Sequence, residues 1–281
     1  MAATVNNVIL NGFDRCGSSA IARTLARHPG VELIFQPFNS GNIRRILYEI
    51  MSAENARPED YQFFSMLQQG RLETSYIKSQ WHEKHSTTLE FKPGQLHVVK
   101  TTLNHFTVTW VAENFPLLEQ WGIWRDPLDI LASITRNNFF DRWYTDALDQ
   151  IVPSVRGAQS LSEPFEKFIH RLDNPIAVTA FLISVRSFYF FSHISADKVI
   201  VYEEFVADAN RALKSFATYF GLPPFDFQHG AKNDLNVMGK KFDPESTHHD
   251  VLSATDIQFV EEVFRPLRDV VADRFGIVSN A

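Results

Sequence analysis

The chain has 281 residues, of which 44% are hydrophobic, and it carries a formal net charge of −6 and one cysteine. No apolar run reaches the roughly 20 residues of a membrane span, one cysteine cannot form an internal disulfide, and the negative charge does not suit a protein whose main partner is a nucleic acid. The first residues lack the basic and hydrophobic regions of a secretory signal, so we expect a cytoplasmic protein.

Five short apolar runs predict five β-strands. They span residues 8–10, 31–35, 96–101, 121–124 and 199–202. Long segments with a helical spacing of apolar residues separate them, and this alternation is typical of a parallel sheet with helices on both faces. Since no linker divides the chain, we expect one domain over residues 1–281. The sequence therefore predicts an α/β, P-loop-like fold of three layers, whose ligand edge lies at the carboxyl ends of the strands.

Two segments exceed the needs of a minimal sheet with its helices. Residues 41–94 are polar and rich in aromatics and histidines, and residues 137–175 are rich in Phe, Trp and Tyr. We interpret both as helical insertions that lie over the ligand edge, with ordinary surface helices as the alternative. As insertions they would shape an acceptor pocket, and His82 and His85 would then be candidates for proton transfer.

The first predicted strand is followed by a turn that runs from Gly12 to Ser19 and opens a helical pattern. A tight turn at a helix start presents free backbone N–H groups and the positive helix end, which together bind phosphate-like anions. Gly12 and Gly17 have the spacing of the P-loop of nucleotide-binding proteins, but Ser18 stands where that motif has its lysine. A triphosphate with magnesium is therefore a poor match, and Arg15 is the cation nearest to a bound anion. A turn without a ligand is the alternative.

The fourth predicted strand ends in a second candidate anion site. If Asp126 caps the following helix with Pro127 in its first turn, Ser133 lies two turns along that helix. Arg125 and Ser133 can then bind a second, separate phosphate. In the alternative interpretation Arg125 only pairs with Asp126, which is a common structural use of such an arginine.

Together these motifs resemble those of the PAPS-dependent sulfotransferases. Residues 12–19 and 25–29 are similar to that family's 5′-phosphosulfate loop and its following helix, and residues 124–133 are similar to its 3′-phosphate strand and helix. Residues 199–205 and 213–222 resemble its late strand and closing helix. The similarity covers about half of the chain, and the motifs follow one another in the family's order.

The resemblance implies that the chain takes a sulfuryl group from PAPS (3′-phosphoadenosine 5′-phosphosulfate), releases PAP and uses no metal. The donor-binding residues carried over by position are Arg15, Cys16, Gly17, Ser18, Ser19, Arg125, Ser133, Tyr202, Lys240 and Lys241. Gly17, Ser18 and Ser19 would hold the 5′ phosphate, with Arg15 bridging the phosphate and sulfuryl groups. Arg125 and Ser133 would hold the 3′ phosphate, and Tyr202 would touch the adenine unless it is core packing. The two lysines match the family's terminal basic loop only loosely.

The resemblance also implies a place for catalysis. Lys100 matches a lysine that cytosolic members carry on the corresponding strand; a lysine that reaches solvent is the alternative. Thr102 stands where those members have a catalytic histidine, and Gln36 stands where many bacterial members have a glutamate. His105 is close in sequence and could serve as the base from a loop. Alternatively, the acceptor is a group that needs little help, such as a nitrogen, and Gln36 orients it beside Thr102.

The resemblance thus implies a sulfotransferase, and we expect it to act on a hydroxyl or nitrogen of a small molecule. A P-loop nucleotide kinase or NTPase on the same sheet is one alternative, and a non-catalytic nucleotide-binding protein is another. The sequence leaves the identity of the acceptor open. It also leaves the oligomeric state open, and a homo-oligomer is compatible with it.

Overall fold

The computed structural model of the chain describes residues 7–37, 48–70, 72, 76, 92, 94–140, 148–229 and 251–277. These residues form a five-stranded parallel sheet in the order β2-β3-β1-β4-β5. The strands are β1 (Asn7–Asn11), β2 (Val31–Phe35), β3 (Leu96–Thr101), β4 (Leu118–Trp124) and β5 (Val199–Val201). The predicted α/β fold, with a parallel sheet of five strands flanked by helices, is confirmed.

Helices separate the strands and cover the sheet. They are α1 (Ser18–Leu25), α2 (Pro58–Gln69), α3 (Val108–Asn114), α4 (Pro127–Arg136), α5 (Leu148–Gly157), α6 (Gln159–Phe165), a 3₁₀ helix (Glu166–Arg171), α7 (Pro175–His193), α8 (Tyr202–Ala207), α9 (Ala209–Ala212), α10 (Lys214–Tyr219) and α11 (Ala254–Phe275). Helix α1 packs against β1, β2 and β3, α3 packs against β4, and α7 packs against α4 and α11.

The central strand β1 lies in the hydrophobic core. Its residues 8–10 are fully buried, as expected for a parallel strand covered on both faces. At the amino end of β1, Asn7 Nδ2 donates a hydrogen bond to the carbonyl oxygen of Leu67 (2.8 Å), which attaches α2 to the sheet. The carboxyl end of β1 leads directly into the glycine-containing turn.

Helix α7 is the long apolar helix of the core. Asn174 caps it by accepting a hydrogen bond from the backbone N–H of Ala177 (2.9 Å). Gly122 of β4 allows a close approach, since a Cβ there would lie 2.8 Å from Phe190 Cε1. In the part of the chain that the structure describes, α7 alone is long and apolar enough to cross a membrane, and 78% of its apolar window is buried within the protein. Apolar helices in the core of a protein pass the same test of length and composition, so this finding alone is weak evidence for a membrane span.

The described parts of the two predicted insertions contact each other near the carboxyl end of β3. In the first, the backbone N–H of Met51 donates to the carbonyl oxygen of Phe106 (3.0 Å), in the segment after β3. In the second, Ser154 Oγ donates to the carbonyl oxygen of Tyr48 (2.5 Å). About half of the first segment and residues 141–147 of the second lie outside the described residues, and the role of both segments as a cover over the ligand edge stays a prediction.

Candidate active site

The turn after β1 is built around two glycines. Gly12 donates its N–H to the carbonyl oxygen of Thr101 (3.3 Å), and a Cβ on Gly12 would lie 2.5 Å from Cys16 Sγ. Gly17 stands at the N-cap of α1 with a φ of 89°, and a Cβ on it would lie 2.2 Å from the Tyr202 ring. The backbone conformation and the crowding at Gly17, and the crowding at Gly12, explain why glycine occupies both positions.

Helix α1 begins without a side-chain cap. Among the described residues, no side chain at the N-cap accepts a hydrogen bond from its first N–H groups, and its first turn carries no acidic residue. Ser18 and Ser19 open the helix; Ser18 is buried and Ser19 is half-buried. The Ser18 N–H bonds to Cys16 and the Ala20 N–H bonds to the Gly17 carbonyl oxygen (3.0 Å), so Ser19 presents the N–H that is left over at this helix start. The positive end of a helix attracts anions, which can also compete for such N–H groups.

The two predicted anion sites form one cluster of side chains. Arg15, with a left-handed φ of 71°, donates from Nε to Ser133 Oγ on α4 (3.2 Å). Arg125 Nη1 donates to the carbonyl oxygen of Arg15 (2.9 Å), and the Arg125 guanidinium lies 4.6 Å from the centre of the Tyr202 ring. Arg125 Nε is buried and has no hydrogen-bond partner among the described residues. Two guanidinium groups and a hydroxyl thus lie together beside the start of α1.

Asp126 caps α4, which confirms the prediction. Its Oδ1 accepts hydrogen bonds from the backbone N–H of Leu128 (2.8 Å) and from Arg268 Nη2 (3.0 Å), and Pro127 is the first residue of the helix. Within the described ranges the ion pair of Asp126 is therefore with Arg268. Arg125 instead donates its hydrogen bond to the carbonyl oxygen of Arg15, in the turn after β1.

Tyr202 is the first residue of α8, immediately after β5, and not the last residue of the strand as the apolar run suggested. It is buried between Gly17 and Arg125. Burial raises the pKa of Tyr202, and the charge of Arg125 opposes this rise. The phenol is therefore neutral near pH 7, and its contact with an adenine stays a prediction.

Lys100 lies buried at the carboxyl end of β3. It is 3% exposed, and its Nζ lies 4.6 Å from the centre of the Phe35 ring. Burial lowers the pKa of Lys100 to about 8, against the opposing effects of Asp14 and then Cys16. The side chain is therefore enclosed and does not reach solvent, and its strand ends beside the turn after β1, where the Gly12 N–H bonds to the carbonyl oxygen of Thr101. Cys16 is itself buried, and burial raises the pKa of its thiol.

Gln36 and Thr102 contact each other beside Lys100. Gln36 Nε2 donates to Thr102 Oγ1 (3.1 Å), and the backbone N–H of Gln36 donates to the carbonyl oxygen of Lys100 (2.8 Å). Gln36 is 7% exposed and has a φ of 53°, and its Oε1 is buried without a hydrogen-bond partner among the described residues. Its backbone is strained, and its buried amide oxygen is a hydrogen-bond acceptor without a use among the described residues. Both features suit a side chain that binds an N–H or O–H group of a small molecule.

Arg186 of α7 lies next to these residues and was missed by the sequence analysis. It is fully buried, and its Nη2 donates to the carbonyl oxygen of Thr102 (2.6 Å) and lies 3.0 Å from His105 Nδ1. Its guanidinium lies 4.9 Å from the centre of the Phe13 ring. The sequence does contain a signal, because Arg186 is the one Lys, Arg, Asp or Glu within α7. Arginine is rarely buried without a specific partner.

His105 is enclosed by the same residues. It is 1% exposed, and the centre of its ring lies 6.0 Å from that of Phe13 and 5.8 Å from that of Phe190. Burial, and then the positive charge of Arg186, lower the pKa of His105 well below its ordinary value. The neutral ring can accept the Arg186 hydrogen bond at Nδ1. The predicted role of His105 as a base stays a prediction, and these surroundings oppose protonation of the ring.

The remaining predicted residues lie outside the described part of the chain. These are Lys240, Lys241, His82 and His85. The expectation that no metal takes part also stays a prediction; in the described ranges no group of three or more His, Cys, Asp or Glu side chains is placed to hold an ion.

A cavity of about 460 Å³ lies at the amino ends of the strands, opposite the turn after β1. Its lining includes His28 and Gly30, which precede β2, Leu96 at the start of β3, and Phe225. Ligands of parallel sheets bind at the carboxyl ends of the strands, and this cavity faces the amino ends. We therefore assign the candidate active site to the turn after β1 and its neighbours.

Comparison with known proteins gives no family assignment. No family model matches the chain, and no curated protein matches it significantly. Among solved structures, it is similar to a sulfotransferase from Alicyclobacillus acidocaldarius, at 14% identity over 97% of this chain and 96% of that chain, with a TM-score of 0.48. It is also similar to the sulfotransferase domain from the curacin biosynthetic pathway (14%, 96% and 98%, 0.44) and to a sulfotransferase from Mycobacterium tuberculosis H37Rv (14%, 93% and 77%, 0.44). No residue role follows from similarity at this level.

Proposed function

We propose that the protein is a sulfotransferase that moves a sulfuryl group from PAPS to a hydroxyl or nitrogen of a small-molecule acceptor. The observation that carries the proposal is the cluster of Arg15, Ser133 and Arg125 beside the uncapped start of α1. This donor set suits a ligand with two anionic groups, because it combines the positive end of a helix with two guanidinium groups from different elements.

The residues of this cluster would bind the two phosphate groups of PAPS. The N–H groups at the start of α1, together with Ser18 and Ser19, would bind the 5′ phosphate. Arg15 would offset the negative charge that develops on the leaving phosphate oxygen. The unused Nε of Arg125 and the Ser133 hydroxyl would bind the 3′ phosphate. Bound PAPS supplies the activated sulfuryl group, and the protein positions it.

The residues at the carboxyl end of β3 and beside it would form the acceptor side of the site. Lys100 adds a buried cation near the turn, where it would offset charge on the sulfuryl oxygens. Gln36 and Thr102 would hold the acceptor, with Gln36 Oε1 accepting an N–H or O–H hydrogen bond. The aromatic rings of Phe13 and Phe35 nearby favour a small, partly apolar acceptor.

Thermal unfolding with added nucleotides tests the donor site. PAP should raise the melting temperature more than 5′-AMP or ATP with Mg²⁺, because a ligand that binds only the folded state stabilises it by mass action. Arg125→Ala should remove most of this shift. Arg156→Ala is the matched control, since Arg156 is about half exposed on α5 and pairs there with Glu166.

The same experiment separates the two alternatives. A larger shift with ATP and Mg²⁺ than with PAP would favour a nucleotide kinase or NTPase. A shift with PAP, but no consumption of PAPS with any acceptor, would favour a non-catalytic nucleotide-binding protein.

A further inference from the structure

Asp14, in the turn between Gly12 and Arg15, carries a carboxylate oxygen with no evident structural use. Its Oδ2 is buried, and no described residue forms a hydrogen bond with it. Asp14 does not cap α1, and the turn is closed by its own backbone, in which the Cys16 N–H donates to the carbonyl oxygen of Phe13 (3.1 Å). A buried carboxylate oxygen without a partner is costly, and such groups often serve a ligand or a reaction.

The neighbours of Asp14 place it at the junction of the donor and acceptor sides. The turn that carries Asp14 lies against the end of β3, because the Gly12 N–H donates to the carbonyl oxygen of Thr101, the residue after Lys100. The charge of Asp14 also raises the pKa of Lys100. Gln36 is bonded to the backbone of Lys100, and Arg15 follows Asp14 directly in the chain. Lys100 and Arg15 are cations, and they offset the repulsion between this carboxylate and an anionic donor.

Transfer of a sulfuryl group to a neutral O–H or N–H releases a proton, which a nearby side chain must accept. Gln36 and Thr102 carry an amide and a hydroxyl, which do not accept protons near neutral pH. Lys100, with a pKa of about 8, is mostly protonated at pH 7. His105 is enclosed against the positively charged Arg186, which opposes a second positive charge on its ring. Cys16 and Tyr202 keep their protons near neutral pH, because burial raises the pKa of both groups. Among the groups described at this site, Asp14 is then the remaining candidate.

We propose that Asp14 is the general base that takes the proton of the acceptor; this inference rests on the proposed sulfotransferase function. A bond forms between the acceptor oxygen or nitrogen and sulfur. The bond between sulfur and the 5′-phosphate oxygen breaks, and its electron pair stays on PAP. The proton moves to Asp14 Oδ2 and leaves to water after product release.

The test compares wild type with Asp14→Asn over a series of acceptors of increasing acidity, from primary alcohols through phenol to 4-nitrophenol. General-base catalysis contributes roughly 10²–10⁴-fold, so the variant should lose about that factor in kcat/KM with the alcohols. With 4-nitrophenol, which is about half ionised near neutral pH and loses its proton easily, the variant should lose little. PAP affinity, measured by calorimetry, should stay equal or become tighter, because a negative charge has left the anion site.

The controls separate a base from a structural residue. Glu32→Gln removes one carboxylate at a partly exposed ion pair with Lys92, on β2 outside the site, and should leave every acceptor unaffected. Asp14→Ala is the second variant, and added formate should restore part of its activity with alcohols. A loss that is equal for all acceptors, or no loss at all, would overturn the role of Asp14. Failure of wild type to bind PAP, or to sulfate any acceptor, would instead overturn the proposed function.

Discussion

The Nε of Arg15 donates a hydrogen bond to Ser133 Oγ at 3.2 Å, which joins the turn after β1 to the helix after β4. The two residues are 118 positions apart in the chain. The strands that precede them, β1 and β4, are neighbours in the sheet, so both side chains reach the edge formed by the carboxyl ends of the strands. A ligand that replaced Ser133 as the partner of Arg15 would bind both elements at once.

Arg125→Ala should weaken PAP binding about ten- to a hundredfold, because a hydrogen bond to a charged group contributes roughly 1.5–3 kcal/mol. The affinity for 5′-AMP should change less, since that nucleotide lacks the 3′ phosphate assigned to Arg125. Calorimetric titration of both nucleotides measures the difference. Equal losses for the two ligands would contradict the assignment of Arg125 to the 3′ phosphate.

Gly17→Ala should destabilise the folded protein by roughly 2 kcal/mol or more, because its φ of 89° strains any other residue and a Cβ would lie 2.2 Å from the Tyr202 ring. Urea unfolding measures the change. Gly157→Ala is the control, since a Cβ there meets nothing within 4 Å. We expect that variant to be neutral or slightly stabilising, and similar losses at both glycines would show that the turn is not specially constrained.

Lys100 should make the protein more stable as the pH rises from about 8 towards 10.5. Its folded-state pKa is lowered from 10.5 to about 8, so in this range the unfolded chain binds more protons than the folded one. The full effect is roughly 3 kcal/mol. Urea unfolding of wild type and Lys100→Met across this range isolates it, because other groups titrate in both proteins. Parallel pH profiles would mean that the lysine is not desolvated.

Arg186→Met should raise the pKa of His105 towards its ordinary value, since Arg186 is one of the two causes that lower it. Burial is the larger cause and remains, so the recovery should be partial. NMR titration of the histidine ring protons measures the shift. Arg171→Met, at a half-exposed ion pair with Glu262, should leave the His105 titration unchanged. An unaltered His105 in Arg186→Met would argue against their contact.

Gln36→Ala should raise the KM for the acceptor and leave PAP affinity unchanged. The reason is that Gln36 Oε1 is a buried acceptor without a partner among the described residues, on the side of the site assigned to the acceptor. Steady-state kinetics with each substrate varied in turn gives both constants. If acceptor affinity and turnover are both untouched, Gln36 has no part in acceptor binding.

The sequence was sufficient to predict the sheet, and the reason is visible in β1. Its residues 8–10 form an uninterrupted apolar run because helices cover both faces of the strand. The cap at Asp126 was predictable for a local reason, since an aspartate before a proline starts a helix by contacts within four residues.

The site was less predictable because its contacts join distant parts of the chain. The hydrogen bond from Arg15 to Ser133 depends on the register of β1 and β4, which no local pattern contains. Tyr202 was placed at the end of a strand, but it begins α8 because the apolar run continues past the last paired residue. Arg186 could have been noticed as the lone charge of an apolar helix, although its partners could not.

Gly122 links the middle of β4 to the active site through α7. The glycine lies against Phe190, and Arg186 is one helical turn earlier on the same helix. A methyl group at position 122 would press α7 away from β4 and draw the guanidinium of Arg186 from the backbone of Thr102. A side chain at position 122 is thus expected to disturb the active site as well as to lack space.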